Sequence, residues 1–347
     1  MAWLRSDRRP GADRSRRHHR GHPPSLRAGS LVTGTVLVTG ASGFVGRYLV
    51  PYLAGAGWRV RAAARNIGAV PAGEDISPVA IPDLASSLDW RPLLAGVSHV
   101  VHLAAIAHAA EHIPERAYQD VNAAAVRRLA AAARDAGIRR VVFMSSVRAQ
   151  SGPSAVSVLD ERAPPLPADA YGRTKLLGEQ WLAETLAHSA TDWVVLRPVL
   201  LYGPGVRGNM RTLERLARQP LPLPLGALTG RRSLLGLTSL ASAVFHALDS
   251  PAAARATFLV AEPGPLTPPQ IVAALRRGLG RSAGVFTIPL GPLRTIMRLT
   301  GRSTTWERLT GDLLVDTSAL ERTGWRPLQT AEEGLVVWMR EGRNPQP

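Results

Sequence analysis

The chain has 347 residues, of which 45% are hydrophobic and 20% are charged, and its formal net charge is +16. This length accommodates one large or two modest globular domains. The absence of cysteine excludes disulfides, thiolate catalysis and zinc–thiolate sites. No run approaches the roughly 20 apolar residues that a membrane span requires, and the charged N-terminus is unlike a signal peptide. We therefore expect a cytoplasmic protein.

The positive charge is concentrated at the N-terminus. Residues 1–30 hold eight arginines against two aspartates, with little apolar periodicity. They are predicted to form a disordered basic arm, which is either an unstructured extension or a weak contact to anionic lipid or nucleic acid. The remaining surplus is spread over the body without interleaved aromatic residues, which argues against a nucleic-acid partner and favours a small anionic substrate. The histidines of the arm have no neighbouring ligand, so no metal site is predicted.

From Thr35 onward, strands alternate with helices. The segment TVLVTG at 35–40 is predicted to be a buried strand, and FVGRYLVPYLAGAG at 44–57 has helical spacing. Helices are also predicted over 86–95, over 114–136 and after Asp169. Further strands are predicted at 58–65, 77–81, 99–105, 139–146 and 192–198. This alternation predicts an α/β fold, a Rossmann-type doubly wound parallel sheet of six or seven strands.

The alternation ends near residue 200. QPLPLPLG at 219–226 is rich in proline, RRSLLGL at 231–237 is a candidate strand, and Thr267 with Pro268 is a typical helix start. We therefore divide the chain into a basic arm over 1–30, a dinucleotide-binding domain over 31–200, and a smaller α+β substrate lobe over 201–341. The last two are expected to be partly interwoven.

The turn TGASGFVG places Gly40, Gly43 and Gly46 between a strand and a helix. The first glycine permits a tight turn, the second lets the backbone approach a pyrophosphate, and the third allows close packing of helix on strand. The helix N-terminus would face the phosphates. With a strand before it and a helix after it, the turn predicts a dinucleotide site.

Arg65 bears on which dinucleotide binds. An NAD site usually has a carboxylate at the end of the second strand, about 20 residues after the glycines, for the adenosine ribose. Here that position has Ala64 followed by Arg65, with Arg61 and Arg47 nearby. A cation in place of the anion fits a 2′-phosphate, which favours NADP(H) and leaves NAD(H) as the alternative.

Lys175 is the only lysine among the 42 cationic residues of the chain. It lies four residues after Tyr171 on the predicted helix, which places both side chains on one face. The pKa of a tyrosine is ordinarily about 10, and a nearby ammonium favours the phenolate. A compact ammonium suits this role and can also donate to a ribose, whereas a guanidinium is broad and always charged.

Two hydroxyls, those of Ser145 and Ser146, lie at the end of the predicted strand at 139–146. One of them could hold a substrate oxygen beside Tyr171, although a serine at a strand end can equally cap a turn.

At this point the chain resembles the extended short-chain dehydrogenase/reductase family over about residues 35–340. The motifs that carry the resemblance are TGASGFVG, HLAA at 102–105, VN at 121–122, SS at 145–146, YGRTK at 171–175 and RPVLLYGPG at 197–205. The resemblance implies a catalytic triad of Ser146, Tyr171 and Lys175, with Ser145 the less favoured serine. It also implies further cofactor contacts, at Ser42, Phe44, Val45, Asp83, Leu84, Leu103, Ala104, Ala105, Asn122, Pro198 and Val199.

The second half resembles the sugar-nucleotide branch of that family, which includes UDP-glucose 4-epimerase and UDP-4-keto-sugar reductases. The motifs are GNMRTL at 208–213, LPLPLGALTGRRSL at 221–234 and ERLTGDLLVD at 307–316. By this resemblance Asn209, Arg232 and Arg308 bind the diphosphate of a nucleotide-sugar substrate. One departure is Ser239, which stands where the branch often has a carboxylate. A homodimer formed through a four-helix interface is common in the family.

Three reactions compete within the resemblance. A 4,6-dehydratase has an acid/base pair directly after the active-site hydroxyl, where this chain has Val147 and Arg148, so dehydration is disfavoured. The Ala64-Arg65 feature favours an NADP(H)-dependent reduction of a UDP-4-keto-hexose, or its reverse. The alternatives are an NAD-dependent UDP-sugar 4-epimerase and, from another class, a catalytically silent dinucleotide-binding sensor or scaffold.

Overall fold

The computed structural model describes residues 34–107, 113–291, 294, 299 and 303–342. The basic arm over 1–30 lies outside the described residues. The strands are β1 Thr35–Thr39, β2 Arg59–Ala64, β3 Ile76–Ala80, β4 His99–His102, β5 Arg140–Met144, β6 Asp192–Pro198, β7 Leu200–Tyr202, β8 Leu234–Gly236 and β9 Ala256–Val260. Seven of them form one parallel sheet in the order β3-β2-β1-β4-β5-β6-β9, and β7 pairs with β8. The predicted doubly wound parallel sheet is confirmed.

Helices cover both faces of the sheet. They are α1 Gly46–Gly55, α2 Arg91–Leu94, α3 Glu115–Gln119, α4 Ala125–Asp135, α5 Ala170–Leu186, α6 Gly208–Arg218, α7 Leu237–Asp249, α8 Pro268–Gly278, α9 Ser303–Thr310, α10 Ser318–Arg322 and α11 Ala331–Glu341. A π-helical turn, Asp120–Ala124, joins α3 to α4, and 3₁₀ turns lie at Ile67–Ala69, Val147–Ala149 and Pro251–Ala253. Among the described helices, none is long and apolar enough to span a membrane.

The hydrophobic core has three parts. One lies between the sheet and helices α1 and α7, and includes Leu49 and Val244. The second lies on the opposite face, beneath α4 and α5, and includes Leu129 and Leu182. Both faces of the sheet are therefore buried, which is why its strands are continuously apolar. The third part belongs to the second half of the chain, where α6, α8 and α11 pack around Tyr202.

Two predicted elements differ from those observed. The helix predicted over 86–95 was wrong in extent, because only Arg91–Leu94 is helical. Pro92 lies in its first turn, where a missing N–H is tolerated, and a helix continuing from residue 86 would have placed that proline in its interior. The strand predicted over 231–237 is shorter, since Arg232 makes isolated bridges to Leu266 and Leu313 before β8 begins.

The order of the strands defines where a ligand can bind. The chain runs from β1 outward through β2 and β3, and then returns to β4 on the other side of β1. In open α/β sheets a crevice forms at such a reversal, beyond the carboxyl ends of the two strands. The turn after β1 and the segment after β4 meet at this crevice.

Candidate active site

The glycine-rich turn lies at the crevice between β1 and β4. Gly40 has a φ of +72°, and a Cβ there would lie 2.8 Å from the backbone nitrogen of Ala104. A Cβ on Gly46 would collide with the carbonyl of Gly40. At Gly43, by contrast, the Gly40 oxygen is the one described atom, chain neighbours aside, within 4 Å of an added Cβ. The turn therefore packs tightly on neighbouring backbone at Gly40 and Gly46, whereas little protein lies near Gly43. This arrangement leaves space at Gly43 for a dinucleotide pyrophosphate.

Asn122 fixes the segment that follows β4, which includes the predicted contacts Leu103 to Ala105. It lies in the π-helical turn and is fully buried. Its Oδ1 accepts from the backbone N–H of Ile106 at 2.8 Å, and its Nδ2 donates to the Ile106 carbonyl at 3.1 Å and to Thr174 Oγ1 at 3.3 Å. Asn122 thus ties the cofactor side of β4 to helix α5, and these bonds occupy its amide.

The arginines expected near the adenosine are engaged within the protein. Arg65 donates to the carboxylate of Asp83 at 3.0 Å, and both side chains are largely exposed. Arg61 donates to the carbonyls of Leu93 and Ala95, while Arg47 Nε donates to the carbonyl of Ser42. A carboxylate therefore reaches this edge from beyond β3, at a position that the sequence alone did not connect with Arg65.

The first turn of helix α5 places Tyr171 beside Ser146. Asp169 caps the helix by accepting from the N–H of Gly172 at 2.8 Å, and it also pairs with Arg148 at 2.7 Å. A Cβ on Gly172 would collide with the Arg148 carbonyl, so the glycine lets the helix pack closely on the 3₁₀ turn after β5. Ser146 caps that turn and forms a side-chain hydrogen bond with Tyr171.

The pKa of Tyr171 is raised rather than lowered in this arrangement. Burial raises the pKa to about 12 and outweighs the lowering by the Ser146 hydrogen bond, while the negative charge of Asp169 raises it further and the positive charge of Arg148 lowers it. The phenol is therefore held as a protonated acid at neutral pH in this arrangement, and the stabilisation of the phenolate by Lys175 stays a prediction.

Lys175 lies under this hydroxyl pair, with 2% of its surface exposed. Its Nζ donates to the carbonyl of Met144 at 2.7 Å and lies 4.6 Å from the centre of the Phe143 ring. Burial lowers the pKa of Lys175 to about 7, while the negative charge of Glu179 raises it. The ammonium and neutral forms are thus close in free energy at neutral pH, as in many functional sites.

Comparison with known proteins identifies the family of this chain. A family model described as the NAD dependent epimerase/dehydratase family matches residues 36–261. The UDP-glucose 4-epimerase of Vibrio cholerae is 33% identical over 311 residues, which cover 87% of this chain and 93% of that protein. This chain belongs to the NAD dependent epimerase/dehydratase family. It is an NAD(P)-dependent sugar-nucleotide reductase or epimerase of the extended short-chain dehydrogenase/reductase type.

Solved structures of this family have the same fold. MoeE5 in complex with UDP-glucose and NAD superposes with a TM-score of 0.71 at 26% identity, covering 89% of this chain and 99% of that one. The UDP-glucose 4-epimerase of Thermus thermophilus, in complex with NAD, has a TM-score of 0.71 at 22% identity, covering 90% and 100%. At that identity the second likeness concerns the fold alone.

The arginines expected to bind the diphosphate differ in how they are engaged. Arg232 is buried, and its guanidinium donates to the carbonyls of Pro153, Glu307 and Arg308. It thereby joins the end of α9 to the loop after β5. Among the described residues, the side chain of Arg308 has no hydrogen-bond or ion-pair partner, and Asn209 is exposed at the start of α6. Arg308 and Asn209 are thus free to meet a ligand, whereas Arg232 is occupied.

A buried carboxylate lies beside Ser239, although it comes from another part of the chain. Glu262, directly after β9, accepts from Ser239 Oγ at 2.5 Å and from Tyr202 Oη at 2.6 Å. The backbone N–H of Gly236 and the side-chain amide of Gln329 also donate hydrogen bonds to the Glu262 carboxylate. Position 239 has a serine where the branch often has a carboxylate, and the carboxylate of Glu262 lies beside that serine. Through its hydrogen bonds Glu262 joins β8, α7 and the segment before α11.

Sequence reasoning missed a buried ion pair near the predicted catalytic residues Tyr171 and Lys175. Ser145, the less favoured serine, donates to Glu179 rather than facing Tyr171, and Glu179 pairs with Arg197 at 2.5 Å. Only the placement of Glu179 had a local signal, because it lies four residues after Lys175 and so on the same face of α5.

Proposed function

We propose that this enzyme is an NAD-dependent UDP-sugar 4-epimerase. It would oxidise the C4 hydroxyl of a UDP-hexose to a ketone and return the hydride to the opposite face of the same carbon. The observation that carries this choice over a reductase is the ion pair of Arg65 and Asp83. Arg65 is already neutralised, and the neighbouring carboxylate would repel a 2′-phosphate but suits the ribose hydroxyls of NAD.

The residues of the triad would have distinct roles. When bound, the nicotinamide dinucleotide accepts and returns hydride. After it has lost its own proton, Tyr171 would take the C4 hydroxyl proton at its phenolate Oη and later return it, and its Ser146 hydrogen bond would orient the reacting oxygen. Lys175 would stabilise the phenolate once its ammonium turns from Met144 toward the site. Arg148, two residues after Ser146, is bound to Asp169, so it would not serve as a free acid or base for dehydration.

The part of the chain over 201–341 would hold the nucleotide, next to the dinucleotide-binding part over 31–200. Among the described residues, the side chains of Arg308 and Asn209 have no hydrogen-bond partner, and both would bind the diphosphate. The guanidinium of Arg308 would do so through charge-assisted hydrogen bonds. Arg232 would act by holding the end of α9, and hence Arg308, in place. MoeE5, which is bound to UDP-glucose and NAD in its structure, supports UDP as the nucleotide.

The test is incubation of the enzyme and NAD with UDP-glucose, UDP-galactose and their N-acetyl counterparts, with product stereochemistry read by NMR. We expect interconversion at C4 without net formation of NADH, and its loss in Tyr171→Phe. Tyr52→Phe, a tyrosine on α1 with no described side-chain hydrogen bond, is the matched control and should retain full turnover. Net oxidation of NADPH with a 4-keto-sugar, and no epimerisation, would contradict the proposal.

A reductase is the second candidate, and one observation favours it. Strand β2 ends at Ala64 without a carboxylate of its own, and the residue that follows is a cation. If Arg65 leaves Asp83 when cofactor binds, NADP(H) would be preferred. Titration with NAD and NADP separates the two candidates, since tighter binding of NADP would favour the reductase.

A further inference from the structure

A buried polar network lies directly behind Ser146, Tyr171 and Lys175. Glu179 accepts from Arg197 at 3.0 Å through Nε and at 2.5 Å through Nη2, and it also accepts from Ser145 Oγ. Arg197 Nη1 donates to Gln150 Oε1 at 2.9 Å. All four side chains are buried. Burying two charges is costly, and a pair that is completed by further hydrogen bonds invites a functional explanation.

The network joins the elements that carry the catalytic residues. Ser145 precedes Ser146 at the end of β5, Arg197 lies near the end of β6, and Glu179 lies on α5. Gln150 extends the network by donating to the carbonyls of Asp160 and Ala163. Removal of the pair would therefore loosen α5 against the strand ends that face the cofactor.

Glu179 also lies one helical turn beyond Lys175. Among the described residues, His102 on β4 lies within range of the Lys175 charge, Tyr171 lies one turn before Lys175 on α5, and Arg197 on β6 reaches this part of α5 through its ion pair with Glu179. His102 is neutral, because burial lowers its pKa to about 3, and burial keeps Tyr171 protonated. Glu179 is thus the anion that opposes the effect of burial on Lys175.

We propose that Glu179 is a positioning residue that acts through Lys175: paired with Arg197, it locks α5 in place and supplies the charge that keeps the ammonium protonated. The proposal rests on the proposed function, since an ammonium is needed only if Tyr171 must release its proton. Burial alone lowers the pKa of Lys175, and the Glu179 carboxylate is what limits that fall to about 7. Without Glu179, the lysine would be largely neutral at pH 7.

The experiment uses the fact that Lys175 is the only lysine in the chain. Protein prepared with ¹³C-labelled lysine gives a single lysine side-chain NMR signal, and its shift against pH reports the protonation of Lys175 directly. We expect Glu179→Gln to lower this midpoint by about one pH unit or more, as expected for loss of a nearby charge at low dielectric. Glu179→Asp, which keeps the charge, should remain near the wild-type midpoint.

Glu179→Gln leaves Arg197 buried and unpaired, and the protein could unfold. The double variant Glu179→Gln with Arg197→Gln removes both charges and keeps hydrogen-bonding groups. Its midpoint should also fall, because burial then acts on Lys175 without the opposing charge of Glu179. A folded double variant with an unchanged midpoint would overturn the proposal, as would an equal fall in Glu179→Asp.

The titration is read without any substrate, so it stands even if no UDP-sugar is turned over. Where turnover is measurable, the alkaline limb of kcat/KM in Glu179→Gln should move to lower pH by the same amount, because the active form needs the ammonium. A merely structural role would lower kcat and leave this limb in place.

Discussion

At the scale of single residues, the identity of the cation at position 175 is decided by space and protonation. Lys175 is buried between the Met144 carbonyl and the Phe143 ring, and its pKa lies near 7. A guanidinium is broader, would overpack this site and would stay charged at every accessible pH. We predict that Lys175→Arg lowers kcat by about 100-fold or more, the range of a lost acid–base contribution, measured by steady-state kinetics.

The control for Lys175→Arg is an arginine-to-lysine substitution at a distant site. Arg59 begins β2, at the edge of the sheet opposite the glycine-rich turn, and it is exposed. Arg59→Lys should leave kcat within about twofold, because exposed substitutions away from special features have small effects. Comparable activity of Lys175→Arg and wild type would show that a compact, titratable cation is not required.

At the scale of elements, the approach of α5 to the 3₁₀ turn Val147–Ala149 sets the distance between Tyr171 and Ser146. Gly172 makes this approach possible, because a Cβ there would collide with the Arg148 carbonyl. We predict that Gly172→Ala displaces the helix, costs about 1–3 kcal/mol of unfolding free energy and lowers kcat at least about tenfold. Denaturant unfolding and steady-state kinetics measure the two effects.

Gly55, a second helical glycine, is a control that distinguishes the effect of crowding at Gly172 from the effect of helix propensity. Gly55 ends α1, and none of the described atoms beyond its chain neighbours and its own helix lies within 4 Å of an added Cβ. Gly55→Ala should therefore stabilise the protein by about 0.5–1 kcal/mol through propensity alone. If Gly172→Ala is stabilising too, the close packing of α5 does not constrain the site.

The elements differ in how far sequence predicts them. Strand β6 and the capped start of α5 were predicted within a residue, because apolar runs and an Asp cap are local signals. The triad was predicted from local spacing and from resemblance, and it stays a prediction. The pairing of Arg65 with Asp83 and of Glu179 with Arg197 could not be read in this way, since each joins residues 18 apart in the chain. Such contacts depend on strand order and register, which no local pattern encodes.

At the scale of the whole molecule, Lys175 places a titratable charge inside the folded core. Its pKa is about 7 when folded and close to 10.4 when unfolded. Below pH 7 both states bind the proton, and the folded state bears the full cost of the buried charge. Between pH 7 and 10 the unfolded state binds more protons than the folded state, so the free energy of unfolding contributed by this group rises with pH.

Replacing this lysine with an apolar side chain of similar length should therefore abolish activity and raise the free energy of unfolding. We predict that Lys175→Met is inactive, yet more stable than wild type by about 1–3 kcal/mol at pH 7. That advantage should shrink as the pH rises to 9, because wild-type Lys175 becomes neutral while all other groups are shared by the two proteins. The lost hydrogen bond to Met144 adds only a constant offset. Parallel urea titrations at pH 7, 8 and 9 measure the difference in unfolding free energy between the two proteins. A difference that does not change with pH would mean that burial of the Lys175 ammonium does not destabilise the folded protein.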